Sequence, residues 1–282
     1  MPPFLVILLV VNVSAFSSIL TKIAATDLSA AHYFLWRYLI AFLVMAFRFL
    51  FSKASLDYKS CKSGLMLGLV SVPLLFCWYQ GLSLISASLS SFITSLSVIV
   101  VFIDRHRKLN LLPQWHHVIA VLTAFLGLSL LINEVHANFL GLCYSFFSAL
   151  LGGVYFIWVG EIKKEGNITL INMVQMLTLF LGSGAFIFAN QASIQLPSTP
   201  QVWFAILFSA LIYSSLATML QLSYQVKAGT LESSMLFMLR PLLVLFYAGL
   251  ILGEQVTPMV YPSACLIVAS LAWIQYDLPK VN

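Results

Sequence analysis

The sequence predicts an all-α integral membrane protein with ten transmembrane helices, arranged as two inverted five-helix repeats. Three observations carry that expectation. The 282 residues are 61% hydrophobic and only 8% charged, with a mean hydropathy of +0.99, far outside soluble composition. The chain divides into apolar runs of roughly 20 residues, the length a bilayer core of about 30 Å requires of a helix. The basic residues fall on alternate links between those runs, as the positive-inside rule requires of a multi-pass chain. With 14 Lys and Arg and 9 Asp and Glu in all, an extramembrane domain of useful size does not fit, because its surface alone would need more charge. A soluble enzyme and a nucleic-acid-binding protein are excluded, so the net charge of +5 is not a nucleic-acid footprint.

The first run, residues 3–24, opens almost at Met1 with no basic stretch before it, so it is expected to remain as a span and not to be cleaved as a signal. The second, 30–52, leads into a link rich in Arg48, Lys53, Lys59 and Lys62. Spans 61–81 and 84–104 join through almost nothing near Gly81 and end at Arg105, Arg107 and Lys108. Span 115–133 follows Pro113, and span 138–160 is closed by Lys163 and Lys164. Spans 168–190 and 200–224 precede Lys227, and 229–253 joins 258–276 near Glu254, with Pro258 before the last helix and Lys280 in the tail. Eleven of the 14 cations thus lie after even-numbered spans or in the tail. Both termini are therefore expected on the cytoplasmic side. Cys61, Cys77, Cys143 and Cys265 lie in or beside apolar runs and read as small core hydrophobes, not disulfide partners.

Five spans before about residue 136 and five after it suggest a duplication, 1–136 and 137–282, and an odd number of spans per unit forces the second copy to insert upside down. Residues 95–102 lie over 238–245, with Leu96 on Leu239 and Val98 on Pro241. Inverted repeats are the building plan of many secondary transporters, whose substrate sites lie at the midplane between the copies.

The ten spans, the repeat, the pair Arg240-Pro241 and the run Gly253-Glu254-Gln255-Val256-Thr257-Pro258 resemble the EamA-type carriers of the drug/metabolite transporter superfamily. The resemblance covers nearly the whole chain. It implies a carrier that exports small metabolites, amino acids above all, across a bacterial cytoplasmic membrane. No cofactor is implied, and the chain is expected as a monomer or weak homodimer in the lipid bilayer. In that family a Pro recurs in the middle of the fourth and ninth helices. Here the first half has Val98 in its place, which weakens the expectation that the two halves act symmetrically.

A charge inside a span normally faces protein or a water-filled cavity. Lys22 is near the outer end of its span and can snorkel to the interface or serve a gate. Arg37, within Trp36-Arg37-Tyr38, reads equally as a structural partner of helix-end carbonyls or as a group at the outer mouth. Arg240 precedes Pro241, whose missing N–H bends the helix and frees a carbonyl. It is a candidate substrate-binding residue, with ties to neighbouring backbone oxygens as the alternative. Glu232 is the in-span carboxylate, about 12 Å from Arg240 along the helix axis, and the available proton carrier if transport is proton-coupled. Three in-span cations stand against this one anion, so at least two are expected to lack a carboxylate partner, and one could meet the carboxylate of an amino or organic acid.

Asn12, Phe16, Trp78, Tyr79, Gln80, Tyr144, Tyr155 and Tyr213 are the bulkier polar and aromatic candidates for a small-molecule path, although several lie at span ends where aromatic belts form. Stripes of small polar residues, Ser86/Ser90/Thr94/Ser97, Tyr144/Ser148/Gly152/Tyr155 and Ser214/Thr218/Gln221, mark one face each and read more readily as packing. The same holds for Gly64 and Gly68. His116 and His117 point to different faces and make a poor metal pair, and no nucleotide-binding loop or nucleophile elbow is present. The reading is a small-metabolite exporter. An importer or exchanger of a larger metabolite such as S-adenosylmethionine or a nucleotide-linked compound, and a non-transporting assembly subunit, stand as alternatives.

Overall fold

The computed structural model describes residues 2–52, 55–110, 138–162 and 166–254, together with single positions between 115 and 126 and between 261 and 269. Described elements are helical throughout: α1 (Pro3–Ala24), α2 (Ala30–Phe51), α3 (Tyr58–Leu84), α4 (Ala87–Ser95), α5 (Ser97–Leu109), α6 (Phe139–Gly160), α7 (Ile168–Ala189) and α8 (Pro200–Phe208). A π-helical segment π1 (Ser209–Ala217) then runs into α9 (Thr218–Ala228), and α10 (Thr230–Phe237), α11 (Arg240–Tyr247) and π2 (Ala248–Leu252) follow. Seven helical stretches among the described residues are long and apolar enough to cross a bilayer, and Arg240–Leu252 is a shorter apolar one. His116, His117, Pro113 and Pro258 lie outside the described residues.

Helix starts follow the local chemistry. Asp57 accepts from the Lys59 and Ser60 N–H groups, Asn138 from Leu140 and Gly141, Asn167 from Leu170, and Ser86 from Leu89, each occupying donors that the first turn leaves open. The Ser60 hydroxyl also donates to Asp57, at 2.8 Å, and this bond, ahead of the two N–H bonds, holds the Asp57 carboxyl below its usual range. Asn110 and Gly253 close helices in the left-handed conformation.

α3 is the packing hub, lying against both α6 and α7, while α2 lies along α7 and α1 contacts α8, π1, α9 and α11. Gly64 makes the α3–α7 approach possible, since a Cβ there would stand 2.6 Å from the Ile171 carbonyl oxygen. The packing expected of Gly64 and Gly68 is thus a contact with α7. None of the four cysteines is fully buried, and Cys265 is exposed, so the expected core role is not met.

One end of the bundle is tied by polar contacts between distant segments. The Lys22 ammonium donates to the carbonyls of Leu82 at 2.6 Å and Ile85 at 2.7 Å, occupying acceptors at the C-terminus of α3. That is a docked cation in place of a snorkelling one. Tyr79 donates to the Leu28 carbonyl at 2.6 Å. Asp27 accepts from the Ser198 hydroxyl and from its N–H at 2.8 Å, bonds that hold its carboxyl below the usual range. Glu254 accepts from the Ala87 N–H at 2.7 Å and the Ser88 hydroxyl at 2.8 Å, a carboxylate set on the N-terminus of α4. At the other end Lys108 bridges Asp104 and Glu161, each at 2.8 Å.

Candidate functional site

Two helices are interrupted at positions that the sequence repeat pairs. α4 gives way to α5 at Leu96, and α10 to α11 at Met238 and Leu239. In the second half Pro241, in the first turn of α11, cannot donate to a preceding turn. The first half has no proline there. The Ser95 hydroxyl donates to the Phe92 carbonyl at 2.6 Å and the Thr94 hydroxyl to Ser91 at 3.0 Å, so side chains take carbonyls released where the helix stops. The asymmetry expected from Val98 therefore does not extend to the break itself. α4 packs against α11, which brings the two interruptions together.

A third irregularity faces them. Along π1 the Ser215 hydroxyl reaches the Ala210 carbonyl and Thr218 that of Tyr213, both five residues back. The Asn172 amide of α7 donates to the carbonyls of Ser214 at 3.2 Å and Ser215 at 3.1 Å. π-helical turns recur at functional sites because they re-aim side chains. Here the turn presents Tyr213 and Ser214 to the interior.

Between these elements lies a cavity whose empty space, open mouth included, is about 920 Å³. Its wall is drawn from α1, α2, α3, α6, α7, π1 and the start of α9 and from the two breaks, at Thr94 and Ser97 and at Phe237 and Arg240. A cleft of about 290 Å³ continues it between the breaks, past Ser91, Arg240 and Pro241.

Arg37 and Arg240 both face the cavity. Arg37 is 1% exposed. Its Nε donates to the Ser214 hydroxyl at 3.0 Å, and its guanidinium carbon lies 5.8, 5.2 and 5.2 Å from the ring centres of Tyr33, Tyr38 and Tyr213. Such ring faces stabilise a desolvated cation. Arg240 donates from Nη2 to the Ser18 hydroxyl at 2.8 Å and lies 5.7 Å from the Trp78 ring. Nη1 of Arg37 and Nε of Arg240 have no hydrogen-bond partner. Among the described residues no Asp or Glu lines the cavity.

Of the candidates from the sequence, Arg37, Trp78, Tyr155, Tyr213 and Arg240 are brought together on this wall, and Pro241 borders the adjoining cleft. The others lie elsewhere. Asn12 accepts from the Tyr247 hydroxyl at 3.2 Å, and Phe16 packs edge-on against Phe208 and Tyr247, so both sit at helix contacts of α1. The Tyr79 ring is in the core beside Tyr33 and Phe34. Gln80 and Tyr144 are exposed on the outside of α3 and α6. Glu232 is exposed in the first turn of α10 and is not part of the wall, and Lys22 is engaged on the end of α3.

The small-polar stripes, read from the sequence as packing, contribute Thr94, Ser97, Ser148, Gly152, Ser214, Thr218 and Gln221 to the wall. Gln175 was missed. Its amide donates to the hydroxyls of Ser71 and Tyr155, both at 3.3 Å, while its Oε1 is without a partner. The signal was present, since Asn172 and Gln175 are bulky amides three residues apart inside the seventh span.

The EamA-like transporter family model matches the chain twice, over residues 1–133 and 139–276. The chain belongs to the EamA-like transporter family. It is accordingly a multi-pass membrane transporter of the drug/metabolite type, built on a two-repeat architecture. A solved crystal structure of a protein 12% identical to this EamA-like chain matches it with a TM-score of 0.65, over 96% of this chain and 94% of its own. That likeness concerns the fold alone. No curated protein matches the chain.

Proposed function

We propose that this chain is a secondary transporter that carries a small carboxylate-bearing metabolite, an amino acid or related organic acid, out of a bacterial cytoplasm by alternating access. Its ten helices form two inverted halves, 1–136 and 137–282, with both termini cytoplasmic. The observation that carries this reading is Arg240: a guanidinium whose Nε has no hydrogen-bond partner, on the wall of a mid-bundle cavity at the break of α10 and α11, with no carboxylate among the described residues of that wall to pair with it. Broken helices in corresponding positions of two repeats are the usual frame of a transporter's substrate site, and arginine suits a carboxylate through paired N–H donors. Movement of the halves about this site exposes it to one side at a time. A non-transporting assembly subunit has no use for such a polar cavity.

A thermal-shift screen of purified protein against carboxylates, organic cations and nucleotides tests the substrate class. Carboxylates are expected to raise the melting temperature by about 5 °C or more at a hundredfold excess over Kd, and Arg240→Gln to abolish the shift. Stabilisation by nucleotides alone overturns the proposal in favour of a carrier for larger, nucleotide-linked compounds.

A further inference from the structure

The cavity wall carries charge of one sign. Arg37 and Arg240 both face it, and among the described residues no acidic side chain does. Arg37 is almost wholly removed from solvent, yet its Nη1 is unpartnered, as is Nε of Arg240. Burying a guanidinium with open donors is costly unless something supplies acceptors. The three tyrosine rings around Arg37 offer faces that moderate its charge, but a ring face does not replace an oxygen acceptor for Nη1.

Neighbouring serines of α1, Ser18 and Ser17, stand towards the two cations in turn. Ser18 of α1 accepts from Arg240. Its neighbour Ser17 pairs with Ser209 at 2.9 Å, Ser209 accepts from the Tyr33 hydroxyl at 3.1 Å, and the Tyr33 ring lies 5.8 Å from the Arg37 guanidinium carbon. Both guanidiniums line one cavity, Arg240 through Ser18 of α1 and Arg37 through Ser214 of π1. The first residues of α5 and α11, Ser97 and Arg240, also open onto that cavity, and helix N-termini add partial positive charge. A substrate with two carboxylates supplies each guanidinium with its own counter-charge. A neutral amino acid instead brings an ammonium into a site that already holds two cations.

Building on the carrier reading above, we infer that the preferred substrates of this site carry two anionic groups, one for each guanidinium, and belong to the dicarboxylates. The pair Arg37 and Arg240 then acts as a selectivity device: one pole is reached at the helix break, the other within the tyrosine cluster. Removing either arginine converts a two-point site to a one-point site.

Equilibrium binding to the purified full chain in detergent, with succinate and its monomethyl ester compared at pH 7.5, tests the inference with two ligands of similar shape that differ by one charge. Succinate is expected to bind about tenfold more tightly or better, the scale of one hydrogen-bonded charge. In Arg37→Gln and in Arg240→Gln the preference is expected to shrink to within about threefold. Equal binding of the two ligands by the wild-type protein overturns the dicarboxylate assignment while leaving the carboxylate-carrier reading in place. Binding of neither, with no response to other carboxylates, overturns both. The decisive comparison uses the wild-type protein, so a variant that fails to fold does not obscure the outcome.

Discussion

Three in-span cations have three different settings. Lys22 ends on backbone carbonyls, Arg37 inside a ring of tyrosines, and Arg240 on a serine at the edge of a cavity. Sequence reading identified all three as residues that need an explanation, because charge in a span is costly wherever it lies. It could not sort them, since the sorting depends on which distant segment each reaches: residues 82–85 for Lys22, Ser214 for Arg37, Ser18 for Arg240. The Lys22 setting makes a direct stability prediction. Lys22→Met leaves the Leu82 and Ile85 carbonyls without their charged donor and is expected to cost about 1 to 3 kcal/mol. Unfolding in detergent checks this: the variant's midpoint should fall while Lys22→Arg recovers most of the loss, and an unchanged midpoint in Lys22→Met would show that the contact contributes nothing.

Among the elements, the interrupted helices decide the site. The break between α10 and α11 was legible from Pro241. That between α4 and α5 was legible only through the repeat, by the placement of Leu96 on Leu239, because Val98 gives no local sign of it. The π turn at Ser209–Ala217 left no readable trace. Its geometry depends on Asn172 reaching across from α7 to the Ser214 and Ser215 carbonyls. The same dependence explains why the serine and threonine stripes looked like packing: small polar residues serve both purposes, and only the irregular helices turn them toward a cavity. Val98 occupies the second position of α5, as Pro241 does of α11, and the first turn of a helix tolerates proline. Val98→Pro is therefore expected to leave the folded fraction intact and ligand affinity within about threefold. Phe92→Pro, inside α4, should cost about 3 kcal/mol or more and yield little folded protein. Size-exclusion profiles of the two variants check this, and equal disruption by both would mean that the first-half break is not equivalent to the second.

For the whole molecule, each half needs the other. The end of the bundle that holds Lys22 is tied together by Glu254 from the second half on Ala87 and Ser88 of the first, and by Asp27 on Ser198. The opposite end is tied by Lys108 on Glu161. A carrier that exposes its site alternately must release one such set of contacts while keeping the other, and hydrogen-bonded charges at bundle ends, near water, are contacts that can be exchanged at modest cost. The cavity between them is lined by Arg37 and Arg240, each with an unpartnered N–H, and by no carboxylate among its described residues, so the proposed transport rests on a substrate carboxylate meeting these guanidiniums. Counterflow in proteoliposomes tests this most directly. Vesicles loaded with an unlabelled carboxylate that the protein binds are diluted into the same compound carrying a radiolabel. The account predicts transient accumulation of label above its equilibrium level by the wild-type protein and none by folded Arg240→Gln. Equal accumulation by the variant, or no acceleration by internal substrate in the wild type, would contradict it.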